Sequence, residues 1–466
     1  MGYEGREEVQ IFPNKEFSAK RQWIATIAAS IGIWATGTVL GWSSPSNPEL
    51  EESGDLGELS KNQLSWIASI AVVAALLSCF IIGYTVEKIG RKLTSIIMVI
   101  PFVIGYAVMA SAQSVFMLYA GRFITGFSGG AYTVITSVYI AEIAQDRLRN
   151  TMGTVMVVCL CSGIAFVYIV GAVVSWRITS IICGVVPILH GVAMLFVPDT
   201  PRYLLSKGQT EKAAASLQWL RGAPSVQDIE PELKEIQSSI EEANSNASGG
   251  SLLVGSTIKP CLMSVTAMAF QQLAGINAVI FFSVDIFKAA GSDIDPSICA
   301  IIVGMTQAIG FAFAGILMNK FGRKPLFFFS EVGMCISLAA LGVFYYLKEE
   351  KPETAENLGW LPLLSLVMYM VTYCCGVGPL PWTLMGDLCP PHIKGIASAM
   401  TTSTNWGLGF LVTFTFQGIV DAIQGYGAFW IFSGICALGA AFAAFVLPET
   451  KGKTVEEIMR LFADKV

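Results

Sequence analysis

The chain has 466 residues, 54% of them hydrophobic and only 14% charged, with a mean hydropathy of +0.62. So little polar surface excludes a water-soluble globule of this size and makes lipid the solvent. The net charge of −5 does not point to nucleic acid, because its sign hides a strong sorting of charge along the chain.

Residues 1–22 form a charged leader with no small-residue cleavage pattern, so the first apolar run reads as a permanent span rather than a signal peptide. Twelve runs are long enough to cross a hydrocarbon layer about 30 Å thick as helices. They are Trp23–Trp42, Ile67–Val86, Leu93–Ala112, Val115–Ala141, Thr151–Ser175, Ile178–Val197, Cys261–Val284, Ile298–Met318, Pro325–Tyr346, Leu361–Met385, Ile396–Val420 and Tyr426–Leu447. Between the first two, Ser43–Asn62 reads as a short acidic outer loop. Residues 198–260 are a long polar segment with two short helices, Glu211–Arg221 and Ile229–Glu242, expected to lie under the bundle. The sequon at Asn246 falls on the cytoplasmic side in this topology.

With the N-terminus in the cytoplasm, all but six of the 29 Lys and Arg residues fall on the inner side. The exceptions are Arg122 within the fourth span and Lys61, Arg177, Lys288, Lys348 and Lys351 outside. This asymmetry predicts a multi-pass protein with both termini cytoplasmic. Most of the 11 cysteines lie inside spans, where small apolar packing is expected rather than disulfides, and neither His190 nor His392 suggests a metal or catalytic centre.

The turn after the second span, Gly83–Lys92, contains Gly90-Arg91-Lys92, and the turn after the eighth, Met318–Pro325, contains Gly322-Arg323-Lys324. Their placement makes the chain a tandem repeat, an architecture of transporters. Charges repeat too. Glu142 and Arg149 are seven apart after the fourth span, as are Asp387 and Lys394 after the tenth. In the seventh span Gln271, Gln272 and Asn277 lie within two helical turns. Amides donate and accept together, which suits an uncharged polyol, and they are tolerable in a bundle that lines water. The alternative is plain interhelical hydrogen bonding.

These features are joined by Pro198-Asp-Thr-Pro-Arg-Tyr-Leu204, Gln271-Gln-Leu-Ala-Gly-Ile-Asn277, Gly376-Val-Gly-Pro-Leu-Pro-Trp382, Asn405-Trp406 and Pro448-Glu-Thr-Lys-Gly452. Together, and in this order, they resemble the sugar porters of the major facilitator superfamily over nearly the whole chain. Leu40-Gly-Trp-Ser-Ser-Pro45 and the GINAVIFF run further resemble insect facilitated trehalose carriers and facilitative glucose carriers.

The resemblance implies an all-α membrane protein of twelve transmembrane helices in two six-helix pseudo-symmetric halves, residues 23–197 and 261–447. A linker at 198–260 joins them, and a cytoplasmic tail at 448–466 follows. It implies sugar-contacting roles for Gln271, Gln272, Asn277, Gln307, Trp382, Asn405 and Trp406, with the Gly/Pro-broken tenth span as a gate. Trp382 and Trp406 have interfacial anchoring as their alternative. A glutamine common on the fifth span of these porters is replaced by Val157, so Thr154, Tyr168 or other polar groups compensate or the pocket differs. Glu87, Arg91, Glu142, Arg149, Arg323, Asp387, Lys394 and Glu449 are expected as a cytoplasmic latch between the halves, with Asn319 replacing an acid there and Glu331 a further candidate.

Proton-driven relatives carry a carboxylate in the first span, whereas Trp23–Trp42 has no Asp, Glu, His, Lys or Arg. The expectation is therefore a plasma-membrane uniporter of trehalose or a hexose such as glucose, acting as a monomer without cofactor, metal or enzymatic activity. A proton symporter and a non-transporting sugar receptor are the rivals. The short tail disfavours the receptor.

Overall fold

The structure, a computed structural model, describes residues 18–246, 255–291, 294–389, 394–453 and 457. His392, most of the connector after Asn246 and most of the tail lie outside them. In chain order the helices are α1 (Lys20–Gly41), α2 (Ser43–Ser53), α3 (Lys61–Ile89), α4 (Arg91–Ile97), α5 (Val99–Ala110), α6 (Val115–Ile143), α7 (Asp146–Gly171), α8 (Trp176–Leu195), α9 (Pro201–Ser206) and α10 (Thr210–Arg221). They continue with α11 (Glu230–Asn246), α12 (Gly255–Leu273), α13 (Ile276–Phe281), α14 (Ser283–Ala290), α15 (Pro296–Lys320), α16 (Arg323–Glu350), α17 (Pro352–Glu356), α18 (Leu361–Cys375), α19 (Leu380–Leu388) and α20 (Lys394–Phe445).

The result is an all-α membrane fold with eleven stretches, among the described residues, long and apolar enough to cross a bilayer. The last, Ile396–Phe445, has 50 residues. At about 1.5 Å per residue that is more than twice a hydrocarbon thickness. Its backbone leaves helical geometry at Ile423 and at Gln424, where φ is +63°. Two rods therefore meet inside α20, at the boundary expected between Val420 and Tyr426.

Short polar caps set several ends. Ser60 and Gln63 form a reciprocal capping box at the start of α3, Ser114 caps α6, and Asp295 accepts from the Ser297 and Ile298 amides ahead of α15. The expected outer loop after Trp42 is instead largely helix α2. Pro45 sits in its first turn, where no backbone donor is needed, and Ser43, Ser44, Ser46 and Asn47 are buried.

Helices α1 to α8 pack mainly on one another, as do α12 to α20, and the two groups meet chiefly through α3 on α20 and α7 on α15. Within the first group α1 and α7 touch backbone to backbone. A Cβ on Gly163 would lie 2.2 Å from the Trp34 carbonyl oxygen, which only glycine permits. The linker helices α9 and α10 pack on α6 and α1 of the first group. Arg221 donates to the Ile143 carbonyl at the end of α6 and pairs with Glu232 at 2.6 Å.

Candidate functional site

Two helix breaks create the site. Between α12 and α13 the chain turns at Gly275, whose φ of +90° is open to glycine at little cost. Between α18 and α19 the helix is interrupted over 376–379, and Pro379 and Pro381 supply no backbone donor to bridge the gap. The loosened carbonyls of Val377 and Gly378 accept from Gln271 Nε2 at 2.9 and 2.6 Å.

Those two bonds use the whole donor capacity of the Gln271 amide and fix its sense. Its Oε1 then accepts from Gln272 Nε2 at 3.1 Å and Asn405 Nδ2 at 3.2 Å. Gln272 Oε1 in turn accepts from Asn277 Nδ2 at 2.7 Å. Gln272 retains one N–H, Asn277 one N–H and its carbonyl, and Asn405 its carbonyl, the second Asn405 N–H facing Met268 Sδ. The network lies on the seam between the groups. A Cβ on Gly409 of α20 would meet Asn277 Nδ2 at 2.6 Å, Gln272 Oε1 at 3.4 Å and Val72 of α3 at 3.6 Å.

Of the residues expected at this site, Gln271, Gln272, Asn277 and Asn405 are thus directly linked. Gln307 is buried with its Oε1 unpaired, and its backbone carbonyl faces the Cys374 thiol. Trp406 places its indole against Cys79 of α3, on the same seam, and Trp382 is 40% exposed on α19. None of these three joins the hydrogen-bonded network. Thr154 donates to the Asn150 carbonyl of its own helix and Tyr168 to the Ile280 carbonyl of α13, so each has its one donor spent within the protein, and neither replaces the donating and accepting pair of the missing fifth-span amide. Val157 packs against the apolar core.

On the face bearing the two Gly-Arg-Lys turns, the ion pairs among the described residues close within each group. Glu142 and Arg149, seven apart in sequence and expected in a latch between the halves, take partners in their own group. Glu142 binds Arg91 at 2.7 Å and accepts from the Thr200 hydroxyl, Arg91 also holds Glu87 at 2.7 Å, and Arg149 pairs with Asp146 in the open. Asp387 faces Arg323 at 3.4 Å and accepts from Thr450, while Glu449 receives the Arg323 and Lys324 backbone amides. Asp199 receives the Lys92 amide in the same way. The side chains of Lys394 and Asn319 lie outside the described residues. Glu331 is remote from these charges, buried against Cys436 and Gly439 of α20.

Asp199, Thr200 and Thr450 escaped the sequence reading. Their signal was the repeated Pro-Asp-Thr and Pro-Glu-Thr at 198–200 and 448–450, each placing an acid and a hydroxyl beneath its own Gly-Arg-Lys turn. Burial pushes the Asp199 carboxyl above the ordinary range, against the Thr200 and Lys92 amides and the nearby Arg91 charge, which lower it.

The opposite face joins the two groups. Lys61 and Asp421 pair at 2.5 Å, as do Lys288 and Glu52, while Ser65 donates to Gln417 and the Val284 amide to Ser44. A cavity of about 480 Å³ opens there beside Lys61, Asn62, Phe414 and Gln417. Deeper in the first group, Arg122 is fully buried. It donates to the Val39, Ile67 and Ala68 carbonyls and to Ser43 Oγ, with its guanidinium over Trp42. Every one of these partners is neutral.

Residues 23–462 match the family model described as "Sugar (and other) transporter". Similar proteins include the facilitated trehalose transporter Tret1 of Polypedilum vanderplanki, 39% identical over 96% of this chain and 88% of that protein. Tret1 of Aedes aegypti is 36% identical over 96% of this chain, which spans only 55% of it. Among solved structures, the proton:xylose symporter XylE bound to 6-bromo-6-deoxy-D-glucose has a TM-score of 0.77 at 24% identity, covering 96% of this chain and all of that one. An inward-open form of XylE from E. coli gives 0.79 at 23%, covering 94% and 99%.

Proposed function

The chain belongs to the sugar transporter family, and from that premise we propose that it is a facilitative sugar carrier working by alternating access, with trehalose or a hexose such as glucose as substrate. The observation that carries this reading is the linked amide set of Gln271, Gln272, Asn277 and Asn405 on the seam between the groups. Its unspent N–H and carbonyl groups match a hydroxyl-covered, uncharged ligand. Gln307, Trp382 and Trp406 are read as further walls of the same cavity. The trehalose-transporter relatives favour a disaccharide, and the cavity must then admit two rings.

The break inside α20 supports a twelfth span and hence two six-helix halves, 23–197 and 261–447, joined by the 198–260 linker and followed by the 448–466 tail. The basic face is read as cytoplasmic in the plasma membrane, and one chain is read as the working unit. On that reading, contacts between the halves at the far face and self-contained charge clusters at the basic face describe an inward-facing state. The opposite state would bring the basic-face charges of the two halves together.

Uniport rather than symport is favoured by the first span, Trp23–Trp42, which has no titratable side chain, and by Arg122, whose hydrogen-bond partners are carbonyls and a serine hydroxyl rather than a carboxylate. The test is uptake of radiolabelled trehalose and glucose by cells lacking other carriers. Uptake that equilibrates with the external sugar and is lost in Asn277→Leu supports the reading. Normal uptake in that variant refutes the site, and uptake of neither sugar refutes the substrate class.

A further inference from the structure

Ser330 of α16 is no member of the amide row or of the charge clusters, yet its hydroxyl sits inside the break between α18 and α19. Its Oγ donates to the Thr372 carbonyl at 2.6 Å and accepts from the Val377 amide at 2.9 Å. Thr372 and Val377 flank the interruption, where the Gly376 and Gly378 amides both turn back to the Tyr373 carbonyl. A continuous helix would leave no room for a side chain between them. The hydroxyl therefore takes the place of a main-chain bond and holds the helix open by one inserted acceptor and donor.

What the insertion holds is the next link. The carbonyl of Val377, whose amide Ser330 binds, and the carbonyl of Gly378 are the two acceptors that fix Gln271. Gln271 in turn orients Gln272 and Asn405, and Gln272 orients Asn277. Ser330 is buried, its remaining contact being Met334 Sδ in its own helix. Close approach keeps the alignment tight: a Cβ on Gly376 would stand 2.5 Å from both Ser330 Cβ and the Leu326 carbonyl oxygen.

We propose that Ser330 is a positioning residue for sugar binding, acting through the broken segment and Gln271 on the amides that meet the sugar. This rests on the amide-site reading above. Without the hydroxyl, the Val377 amide is buried without its acceptor, and the segment is drawn back toward helix. The carbonyl pair then leaves Gln271, and the amide row loses its sense. An ordinary packing role would lower stability without selecting sugar affinity.

The experiment measures equilibrium binding of radiolabelled trehalose and glucose to the purified full-length carrier, together with thermal unfolding. The variants are Ser330→Ala, Ser330→Thr, Gly376→Ala and Asn277→Leu. Ser330→Ala should raise Kd about tenfold, as expected for one buried group left unpaired. Ser330→Thr, which keeps the hydroxyl, should stay near the parent. Gly376→Ala moves the same segment from the other side and should weaken binding similarly, so it decides the matter if Ser330→Ala does not fold. Unchanged Kd in both alanine variants, or a Thr variant as weak as the Ala variant, overturns the proposal. Normal binding in Asn277→Leu would instead overturn the amide-site reading, and weak binding there beside normal alanine variants would sink the brace alone.

Discussion

Gln272 holds two bonds within the amide row and Asn277 one, and both keep other groups unspent, so their replacement removes sugar partners without uncovering a buried charge. Gln272→Leu and Asn277→Leu should each lower kcat/KM for sugar uptake about tenfold or more, with surface delivery unchanged. Concentration-dependent uptake normalised to surface protein checks this. Asp199 makes a prediction of a different kind. Its folded pKa lies above the ordinary 3.8, so the folded state holds the proton more tightly than the unfolded chain. Its contribution to stability is therefore greatest below that value and declines as pH rises through the raised folded pKa. Asp199→Asn keeps the Oδ1 that accepts from the Lys92 and Thr200 amides and should flatten this part of the pH dependence. Thermal unfolding across a pH series measures it, and an unaltered slope assigns the dependence elsewhere.

The elements were legible where length and composition decide them. Apolar runs of span length, basic turns and the Gly/Pro interruption of the tenth span fixed where helices lie and where α18 breaks, because lipid leaves an unpaired backbone no alternative. The break after α12 was hidden, since Cys261–Val284 reads as one helix and a single glycine, Gly275, turns the chain there. The extension of α2 was hidden, since its Ser, Asn, Pro and Glu residues read as a loop until packing buried the first half of it. Partners far apart in sequence were hidden as well. Glu142 to Arg91 and Arg122 to the Val39 carbonyl are choices made by tertiary contact, and the repeated seven-residue spacing of charges names neither partner. At Gly275 the positive φ and the Phe432 ring, 2.8 Å from where a Cβ would lie, both exclude a side chain. Gly275→Ala should destabilise the carrier by about 1–2 kcal/mol through backbone strain alone, with the clash adding to it. A thermal-unfolding midpoint equal to the parent's would contradict this.

At the scale of the whole molecule, the ion pairs Lys61–Asp421 and Lys288–Glu52 bridge the groups on the face opposite the Gly-Arg-Lys turns, while the basic-face clusters, among the described residues, close within each group. Lys61 and Asp421 remain well exposed, so their pair is worth at most about 1 kcal/mol, enough to bias a balanced equilibrium but not to lock it. Asp421→Lys should therefore raise cysteine labelling of cavity positions from the far face a few-fold, and adding Lys61→Asp should restore the parent pattern. Equal labelling in all three proteins would make the pair incidental to access.

The facilitative reading is tested most directly by the purified chain in sealed liposomes loaded with unlabelled sugar, with no ion gradient, where entry of radiolabelled trehalose and of glucose is followed. The amide site and neutral Arg122 surroundings predict carrier-dependent exchange of at least one of the two that is abolished by Asn277→Leu. An imposed proton gradient should leave net flux bounded by the sugar gradient. Absence of exchange, or accumulation above equilibrium that appears only with the proton gradient, would contradict it.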